Sequence, residues 1–405
     1  MVLSDISDFV SDKISSNDVE LCDYVTTDSL LQNKKGRTNA EKLPPVPCKL
    51  TRYEAGDVLI SNIRPYLKKI WMADGSGGCS PDVLVFRAKP GVNSYYLFSI
   101  LQQDCFYEYV MKAPKGSKMP RGDQQHIMRF PIKELSHSEI TTIEDITQKI
   151  SLTLKLYTEL CDNLSNMIHE MFEHWFIQFD FPNQNGEPYR QAGGSVIKDE
   201  KTGISYPDSW SLMTVNDITK RVKVGFVGQV DDYYCDSSKG FPIVRPTEMD
   251  EDGIDYEKLR HITKEFFEVN GKSQLHFGDV IISRCGKDGI PNIYESAKPA
   301  QVLNAVVIEP NYDMADSVFI LELLKSDLLQ KQIKNMTGGS VQGVLNTEWI
   351  ANMSFPFNKG MSKKFSDLVA PLYKKYRNSK DKIRLYTELR EYIVPLMLSG
   401  QVGEQ

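Results

Sequence analysis

Two long stretches of the chain repeat apolar residues every three or four positions, at residues 139–176 and 363–397. This spacing predicts two long amphipathic helices, the first with about four heptads of apolar a and d positions. Such seams are buried against a second helix, so we expect the two helices to pair as an antiparallel coiled coil. The residues predicted to pair the helices are Ile143, Ile146, Ile150, Tyr157, Leu160, Leu164, Leu372, Tyr376, Ile383, Tyr386, Leu389 and Ile393.

The other segments contain two patterns. Short runs rich in Val and Ile between Gly, Pro and Asp, such as "DVLISNI" and "DVIISRC", predict strands. Residues 95–112 and 316–336 have the apolar period of an amphipathic helix. The expected fold class is therefore mixed α+β, with two globular domains of strands and helices separated by the two long helices.

Several motifs occur twice in the same order, which predicts an internal duplication and a pseudo-twofold repeat. "KLYTEL" (155–160) returns as "RLYTEL" (384–389), and "GDVLISNIRPYL" from Gly56 returns as "GDVIISRCGKDG" from Gly278. The predicted division is a first domain at 1–136, a long helix at 137–180, a linker at 181–206, a second domain at 207–358 and a second long helix at 359–405.

The formal net charge is −6, but it is unevenly distributed. Residues 137–195 carry −6 and residues 359–405 carry +5, so the two long helices have opposite charges that favour pairing. The alternative is that each helix packs on its own globular domain. Residues 1–136 carry +2 and residues 196–358 carry −7, so a nucleic-acid surface in the second domain has to be a local basic patch.

The sequence contains none of the common catalytic motifs. It has no GxxxxGK[ST] phosphate loop, no GxGxxG after a predicted strand, and no HExxH, GxSxG or CxxC. The seven cysteines lack the spacing of zinc ligands or of a disulfide framework. No apolar run reaches membrane-spanning length and the N-terminus lacks a signal-peptide pattern. We therefore expect a cytoplasmic binding protein that is not an enzyme and that holds no metal or cofactor.

Two similar domains joined by paired helices suit a ligand with two half-sites at a fixed separation. A helix of about 40 residues is on the order of 60 Å long, and DNA half-sites one turn apart lie about 34–36 Å from each other. DNA is therefore the first candidate ligand. The competing hypothesis is a coiled-coil adaptor whose two domains bind protein, which the acidic total charge favours. Salt separates the two, because DNA binding weakens steeply as salt rises.

Motifs along the whole chain resemble the specificity subunit of type I restriction-modification systems. The segment "FPNQNGEPYRQAGGSVIKDEKTGISYPDSW" (181–210) is similar to that family's linker into its second recognition domain. "YIVPLMLSGQV" (392–402) is similar to the end of its C-terminal helix, and "QHIMRFPI" and "TEWIANMSFPF" resemble the segments that lead into its spacer helices. The family often opens each domain with Pro-x-x-Trp, which this chain has only in the second domain, at Pro207 and Trp210.

The resemblance implies a non-catalytic subunit whose two target-recognition domains each read one half of a bipartite, gapped DNA site. It also implies that the long helices set the gap and dock two adenine-N6 methyltransferase subunits. S-adenosylmethionine then belongs to that partner, and ATP and magnesium belong to a restriction subunit where one is present. The implied host is a bacterium or an archaeon.

Loops rich in Lys, Arg, Asn, Gln and hydroxyl side chains are the predicted DNA contacts, because these groups bind phosphates and base edges. The first choices are the loops after the two Gly-Asp strands and the two Gly-Ser loops, and residues 33–39 and 220–225 are further choices. The alternative for each loop is an ordinary solvated surface. The predicted DNA-binding residues are Asn62, Arg64, Tyr66, Lys68, Lys69, Lys112, Lys115, Ser117, Lys118, Arg121, Arg284, Lys287, Lys334, Ser340 and Gln342.

Overall fold

A computed structural model describes residues 1–116, 119–250, 253–284, 289–337 and 346–401. The chain divides into two compact units. Unit 1 comprises Met1–Glu159 and Lys380–Gln405, and unit 2 comprises Leu160–Ser379. Each unit therefore contains part of both long helices, and the five-part division of the sequence remains a prediction.

Unit 1 consists of short strands and helices together with parts of the two long helices. Its strands are β1 (Ser7–Phe9), β2 (Lys13–Ser15), β3 (Tyr24–Val25), β4 (Lys49–Tyr53), β5 (Val58–Ser61), β6 (Ile70–Met72), β7 (Gly77–Cys79), β8 (Val83–Ala88), β9 (Pro114–Lys115) and β10 (Arg121–Gly122). Its helices are α1 (Leu3–Ile6), α2 (Ser94–Leu101), α3 (Asp104–Val110), α4 (Gln124–Ile127) and the first part of α5 (His137–Phe172).

The strands of unit 1 form two sheets and one separate pair. One sheet has the order β1-β8-β5-β6 with antiparallel neighbours, and the other has the order β2-β4-β7-β3, in which β3 runs parallel to β7. β9 and β10 pair with each other. Phe86 from the first sheet shares a buried core with Leu97 of α2 and Phe106 of α3. Ile143 of α5 and Met397 belong to the same core, so the long helices complete it.

Unit 2 contains more strands than unit 1 among the described residues. Its strands are β11 (Val196–Lys198), β12 (Ser205–Pro207), β13 (Ser211–Thr214), β14 (Thr219–Val224), β15 (Tyr234–Cys235), β16 (Gly240–Val244), β17 (Met249–Asp250), β18 (Gly253–Ile254), β19 (Arg260–Thr263), β20 (Gln274–Leu275), β21 (Val280–Ser283), β22 (Pro291–Ile293), β23 (Ala300–Val302), β24 (Ala305–Pro310) and β25 (Ser354–Phe357). Its helices are α6 (Lys264–Val269), α7 (Ser317–Lys325), α8 (Asp327–Thr337), α9 (Thr347–Ala351) and the first part of α10 (Lys359–Leu398).

The strands of unit 2 also form two main sheets. One has the order β14-β24-β21-β22 with antiparallel neighbours, and the other has the order β15-β19-β16-β23-β20, in which β23 runs parallel to β16. The shorter pairs are β11–β12, β13–β25 and β17–β18. The main core joins Phe319 of α7 and Phe355 of β25 to Phe172 of α5 and Phe365 of α10. The core of unit 2 therefore also depends on both long helices.

Each unit contains the same turn before its central strand. Gly56 and Gly278 have φ values of +90° and +88°, a left-handed conformation that favours glycine. After each glycine, Asp57 and Asp279 accept a hydrogen bond of 2.8 Å from the backbone N–H three residues earlier. The strand orders β1-β8-β5-β6 and β14-β24-β21-β22 also correspond. The prediction of two sheet-rich domains in a mixed α+β fold is confirmed.

In unit 1, side chains of α5 contact side chains of α10. Tyr157 stacks on Tyr386 with ring centroids 6.3 Å apart, while Ile143 and Met397 share the core nearer the start of α5 and the end of α10. The seam residues of this unit that are buried or half-buried are Ile143, Ile146, Ile150, Tyr157, Ile383, Tyr386 and Ile393.

Leu389 departs from the predicted seam, because its side chain is 40% exposed. Arg390, Val394 and Met397 are buried instead in this part of α10. An α-helix has about 3.6 residues per turn rather than the 3.5 of an ideal heptad, so a buried stripe moves gradually around the helix. The buried position therefore lies one residue later than the heptad pattern predicted.

In unit 2, the predicted seam residues are Leu160, Leu164, Leu372 and Tyr376. Leu164 is buried, and the other three are half-buried. The Cys161 thiol lies 3.8 Å from the backbone carbonyl of Tyr376, which brings α5 and α10 together in this unit.

Ion pairs join each long helix to a globular part. In unit 1, Lys155 Nζ of α5 lies 2.5 Å from Asp74 Oδ2. In unit 2, Arg377 Nε of α10 lies 2.7 Å from Glu295 Oε1. These partly exposed pairs orient the helices on their units and contribute at most about 1 kcal/mol each to stability.

Asp57 and Asp279 occupy the same turn but have different partners. Asp57 accepts two hydrogen bonds of 2.7 Å from the Arg87 guanidinium. Asp279 is also buried, but its ion-pair contact among the described residues is His276 Nδ1 at 3.8 Å. Burial raises the pKa of Asp279, so its ionised form is unfavourable in the folded chain.

We expect Asp279→Asn to stabilise unit 2 at pH 7, whereas Asp57→Asn should destabilise unit 1 by about 2 kcal/mol by removing charged hydrogen bonds to Arg87. When folding raises the pKa of a carboxyl group, the folded chain loses stability as the pH rises from the unfolded pKa towards the folded one. The gain from Asp279→Asn should therefore be present at neutral pH and vanish below the ordinary aspartate value of 3.8. Hydrogen exchange of the full chain, followed separately in peptides of each unit, measures both effects. A loss of protection in unit 2 of Asp279→Asn at pH 7 would contradict the prediction.

Candidate nucleic-acid interface

Three loops of unit 1 that overlap separately predicted DNA-binding segments lie together. They comprise residues 32–37, residues 62–69 after β5, and residues 114–116 and 119–122 around β9 and β10. We call these residues the three-loop cluster. Backbone hydrogen bonds join its members, although they lie far apart in the sequence.

The loop after β5 is joined to β10. Asn62 accepts a hydrogen bond of 3.0 Å from the backbone N–H of Gly122 through its side-chain oxygen. The backbone N–H of Arg64 donates to the Pro120 carbonyl at 2.9 Å, and Ile63 forms a β-bridge with Arg121. The Asn62 side chain therefore already has a structural role in this loop.

The same loop is joined to residues 32–37. The backbone N–H of Asn33 donates to the Leu67 carbonyl at 3.0 Å, and that of Lys34 donates to the Lys68 carbonyl at 2.9 Å. Residues Pro65–Leu67 form a short 3-10 turn between the contact of Arg64 with Pro120 and the contact of Lys68 with Lys34. The loop is thus held at both ends, which limits the positions its side chains can take.

Four residues of the cluster have left-handed backbones although they carry side chains. They are Asn33, Lys34, Arg64 and Lys68, with φ between 52° and 60°. This conformation costs about 1–2 kcal/mol for a residue other than glycine, and such residues concentrate at ligand-binding sites. The cluster is therefore the most conformationally strained surface among the described residues of unit 1.

Several predicted DNA-binding cations of the cluster already have acceptors within the chain. Lys69 Nζ donates to the Thr27 carbonyl at 2.5 Å, and burial lowers the pKa of Lys69. Arg121 lies 3.2 Å from Asp82, and Lys68 lies 2.8 Å from Asp104. These contacts direct the three cations to internal acceptors.

Other predicted residues remain available on the surface. Arg64, Tyr66 and Lys112 are exposed, and their side chains form no hydrogen bond or ion pair with any residue in the described part of the chain. Tyr66 is 50% exposed, so its ring is open to stacking. Lys115 lies on β9, and Ser117 and Lys118 lie outside the described residues.

The corresponding region of unit 2 is described only in part. Arg284 is half-buried directly after β21, and Lys334 is exposed on α8. Lys287, Ser340 and Gln342 lie outside the described residues. Gln330 of α8 donates to the carbonyl of Gly289 at 3.3 Å, so α8 packs against the end of the loop that Arg284 begins.

The sequence patterns do not indicate the acidic residues that pair with cations of the cluster. Asp104 starts α3, and Asp82 precedes β8. An isolated aspartate at the first position of a helix is ordinarily explained by its interaction with the helix dipole. No local signal in the sequence indicates that Asp104 lies beside two lysines from two other loops.

One group of potential metal ligands occurs among the described residues. Atoms of Glu20, Cys22 and Asp23 lie within 4.8 Å of one another on the surface of unit 1. Burial and the carboxylates of Asp23 and Glu20 raise the pKa of the Cys22 thiol, which disfavours the thiolate that binds metals. The absence of a cofactor from this chain remains a prediction. None of the described helices is both long and apolar enough to cross a membrane.

Comparison with known proteins gives one weak sequence match. No protein-family model matches this chain. An 80-residue segment, 20% of the chain, is 26% identical to the type I restriction enzyme EcoDI specificity subunit of Escherichia coli. That segment spans 18% of the length of the E. coli protein.

Solved structures extend the likeness to the whole chain. The S subunit of a type I restriction-modification system from M. genitalium matches with a TM-score of 0.51 and 13% identity, covering 100% of this chain and 96% of that one. The HsdS subunit from Thermoanaerobacter tengcongensis matches with a TM-score of 0.36 and 14% identity, covering 99% and 96%. The predicted resemblance is confirmed at the level of the fold: this chain has the fold of a type I restriction-modification S subunit.

Proposed function

We propose that this chain is the non-catalytic DNA-specificity subunit of a type I restriction-modification complex. The observation that carries the proposal is the three-loop cluster of unit 1, which combines strained backbones with exposed Arg64 and Tyr66. Exposed Lys112 lies two residues before the third loop of the cluster. Arginine and lysine bind phosphates and guanine edges, and an exposed tyrosine ring stacks on bases or sugars. The fold shared with the M. genitalium S subunit supports the same role.

In this proposal, each unit reads one half of a bipartite, gapped site. The repeated glycine turn and the matching strand orders of the two units support two heads derived from one ancestral domain. Arg284 and Lys334 are the described candidates in the second head. A local basic patch is needed in the second head, because residues 196–358 carry a net charge of −7.

We further propose that α5 and α10 pair as an antiparallel coiled coil that sets the gap between half-sites. The stack of Tyr157 on Tyr386 supports this pairing, because both tyrosines lie on the predicted seams of the two helices. Leu156 and Leu385 precede these two tyrosines on α5 and α10.

Two methyltransferase subunits dock on the long helices in this proposal, and these leucines support one docking surface. Leu156 is 66% exposed and Leu385 is 51% exposed, although both lie on long helices. Leu389 and Tyr392 continue the exposed apolar face of α10. Exposed apolar side chains that follow one another along a helix mark a protein interface.

The chemistry in the proposed complex belongs to the partners. The methyltransferase subunits hold S-adenosylmethionine and methylate adenine N6, and a restriction subunit, where present, uses ATP and magnesium. The chain then acts in the cytoplasm of a bacterium or an archaeon, where its target is host and invading DNA.

Methylation-aware sequencing of the host genome, with and without this gene, tests the function. Deletion should abolish adenine methylation at one two-part, gapped motif, and a catalytically inactive methyltransferase partner should do the same. Re-expression of the chain should restore the motif. Retention of every methylated motif after deletion, in a host whose methyltransferase partner is active, would favour the adaptor whose two heads bind protein.

Arg64→Gln should weaken DNA binding by the full chain. If Arg64 contacts a phosphate, the slope of log affinity against log salt should become shallower by about 1. Gln tolerates the left-handed backbone no worse than Arg, so the fold should be unaffected. Arg52→Gln is the matched control, because Arg52 is exposed on β4 and pairs loosely with Glu54 at 3.8 Å. Equal salt slopes for both variants would remove Arg64 from the interface.

Leu156→Gln combined with Leu385→Gln should weaken methyltransferase binding about 100-fold, because burying each leucine at an interface is worth about 1.5 kcal/mol. Isothermal titration of the full chain with the methyltransferase subunit measures the loss. Val46→Gln is the control, because Val46 is 67% exposed but lies away from the long helices in the sequence. Unchanged affinity in the double variant would exclude this docking surface.

A further inference from the structure

Asp104 is bound to two lysines from two other loops of unit 1. Its Oδ1 atom lies 2.7 Å from Lys34 Nζ, and its Oδ2 atom lies 2.8 Å from Lys68 Nζ. Glu391 of α10 approaches Lys34 Nζ more loosely, at 3.7 Å. One carboxylate therefore engages two cations of the three-loop cluster.

The two lysines have similar backbone conformations and are hydrogen-bonded to each other through their backbones. Both have left-handed φ values, 60° at Lys34 and 52° at Lys68, and the N–H of Lys34 donates to the carbonyl of Lys68 at 2.9 Å. The two ammonium groups come from adjacent backbones and would repel each other without an anion between them. Asp104 supplies that anion.

The charge on Asp104 is maintained at neutral pH. Burial alone would raise the pKa of Asp104, but the hydrogen bonds and charges of Lys34 and Lys68 lower it. The bridge between Asp104 and the two lysines is therefore charged at neutral pH, and it does not act as a pH switch there.

The bridge engages one cation of the loop after β5 and leaves another exposed. Lys68 and Arg64 are four residues apart on the loop after β5, yet Lys68 is held by Asp104 while Arg64 is exposed without an internal acceptor. In this arrangement the Lys34 side chain is only 9% exposed to solvent.

We infer that Asp104 is a positioning residue that withholds Lys34 and Lys68 from DNA phosphates and fixes the loop that carries Arg64. This inference rests on the proposed function of the chain. A lysine that is free to neutralise a phosphate strengthens binding to every DNA sequence, whereas specificity depends on contacts that differ between sequences. By engaging two lysines, Asp104 lowers sequence-independent affinity and keeps Arg64 in a fixed position.

The inference predicts an effect opposite in sign from that of a lost DNA contact. Asp104→Asn keeps the shape of the side chain but removes its charge. Binding of the full chain to a labelled duplex of random sequence should become tighter, and the salt slope should become steeper by about 1–2, one unit for each lysine released. Selection of bound duplexes from a random library should at the same time show a less defined half-site for the first head.

Lys68→Gln provides the internal check. In the wild-type chain it should leave the salt slope unchanged, because Asp104 already holds Lys68. In the Asp104→Asn background it should make the slope shallower by about 1. Asp8→Asn controls for the loss of one negative charge, because Asp8 is an exposed carboxylate of unit 1 that pairs with Lys89 at 3.6 Å. Thermal unfolding of each variant checks that the fold is retained.

The outcomes separate this inference from the proposed function. If the wild-type chain binds DNA and Asp104→Asn binds with the same affinity, slope and half-site, Asp104 does not withhold the lysines. A similar gain from Asp8→Asn would reduce the effect to net charge and also overturn the inference. If only Asp104→Asn binds DNA, the withholding is supported while the proposed specificity role fails. If neither chain binds DNA, both fail.

Discussion

The cores of both units depend on apolar side chains that the two long helices supply. In unit 2, Phe172 of α5 lies 5.6 Å from Phe365 of α10 by ring centroids, and both contact Phe319 of α7. In unit 1, Ile143 and Met397 close the core around Phe86 and Phe106. A helix cannot bury an apolar stripe alone, so each unit gains its stability by burying helix surface that would otherwise face water.

This dependence explains why the loops of the three-loop cluster can be irregular. The sheets and the long helices provide the buried area, so the three-loop cluster is free to adopt left-handed backbones at Asn33, Lys34, Arg64 and Lys68. The strain of several kcal/mol is tolerated because backbone hydrogen bonds between loops over-determine the arrangement. A rigid scaffold with strained loops at its surface is the general way in which proteins present variable binding residues.

The elements that sequence reasoning could predict are those with a local period. The helices at 139–176 and 363–397 follow from apolar spacing alone, and the repeated Gly-Asp turns follow from the left-handed backbone that glycine permits. The repeated hexapeptide is a weaker guide. Its copies are 229 residues apart, whereas Gly56 and Gly278, and Lys155 and Arg377, are 222 apart. The difference is seven residues, one heptad. A heptad seam looks alike after every seven residues, so similar strings arise along it without marking equivalent positions.

The candidate site was less predictable because its contacts join residues that are distant in the sequence. Composition selected these loops, because Lys, Arg and Gly concentrate there, but it could not indicate that the loops meet or that acidic residues lie among them. Asp82, Asp104 and the Thr27 carbonyl engage Arg121, Lys68 and Lys69.

A count of basic residues therefore overestimates the charge that unit 1 offers to a ligand. Under the proposed function, the pairing of these cations with internal acceptors is consistent with the acidic total charge of the chain. Sequence-independent attraction to DNA grows with every free cation, while discrimination comes from a few fixed contacts. A protein that must leave most of the genome unbound is better served by few exposed cations in fixed positions than by a strongly basic surface. The net charge of −6 is compatible with DNA recognition on that condition.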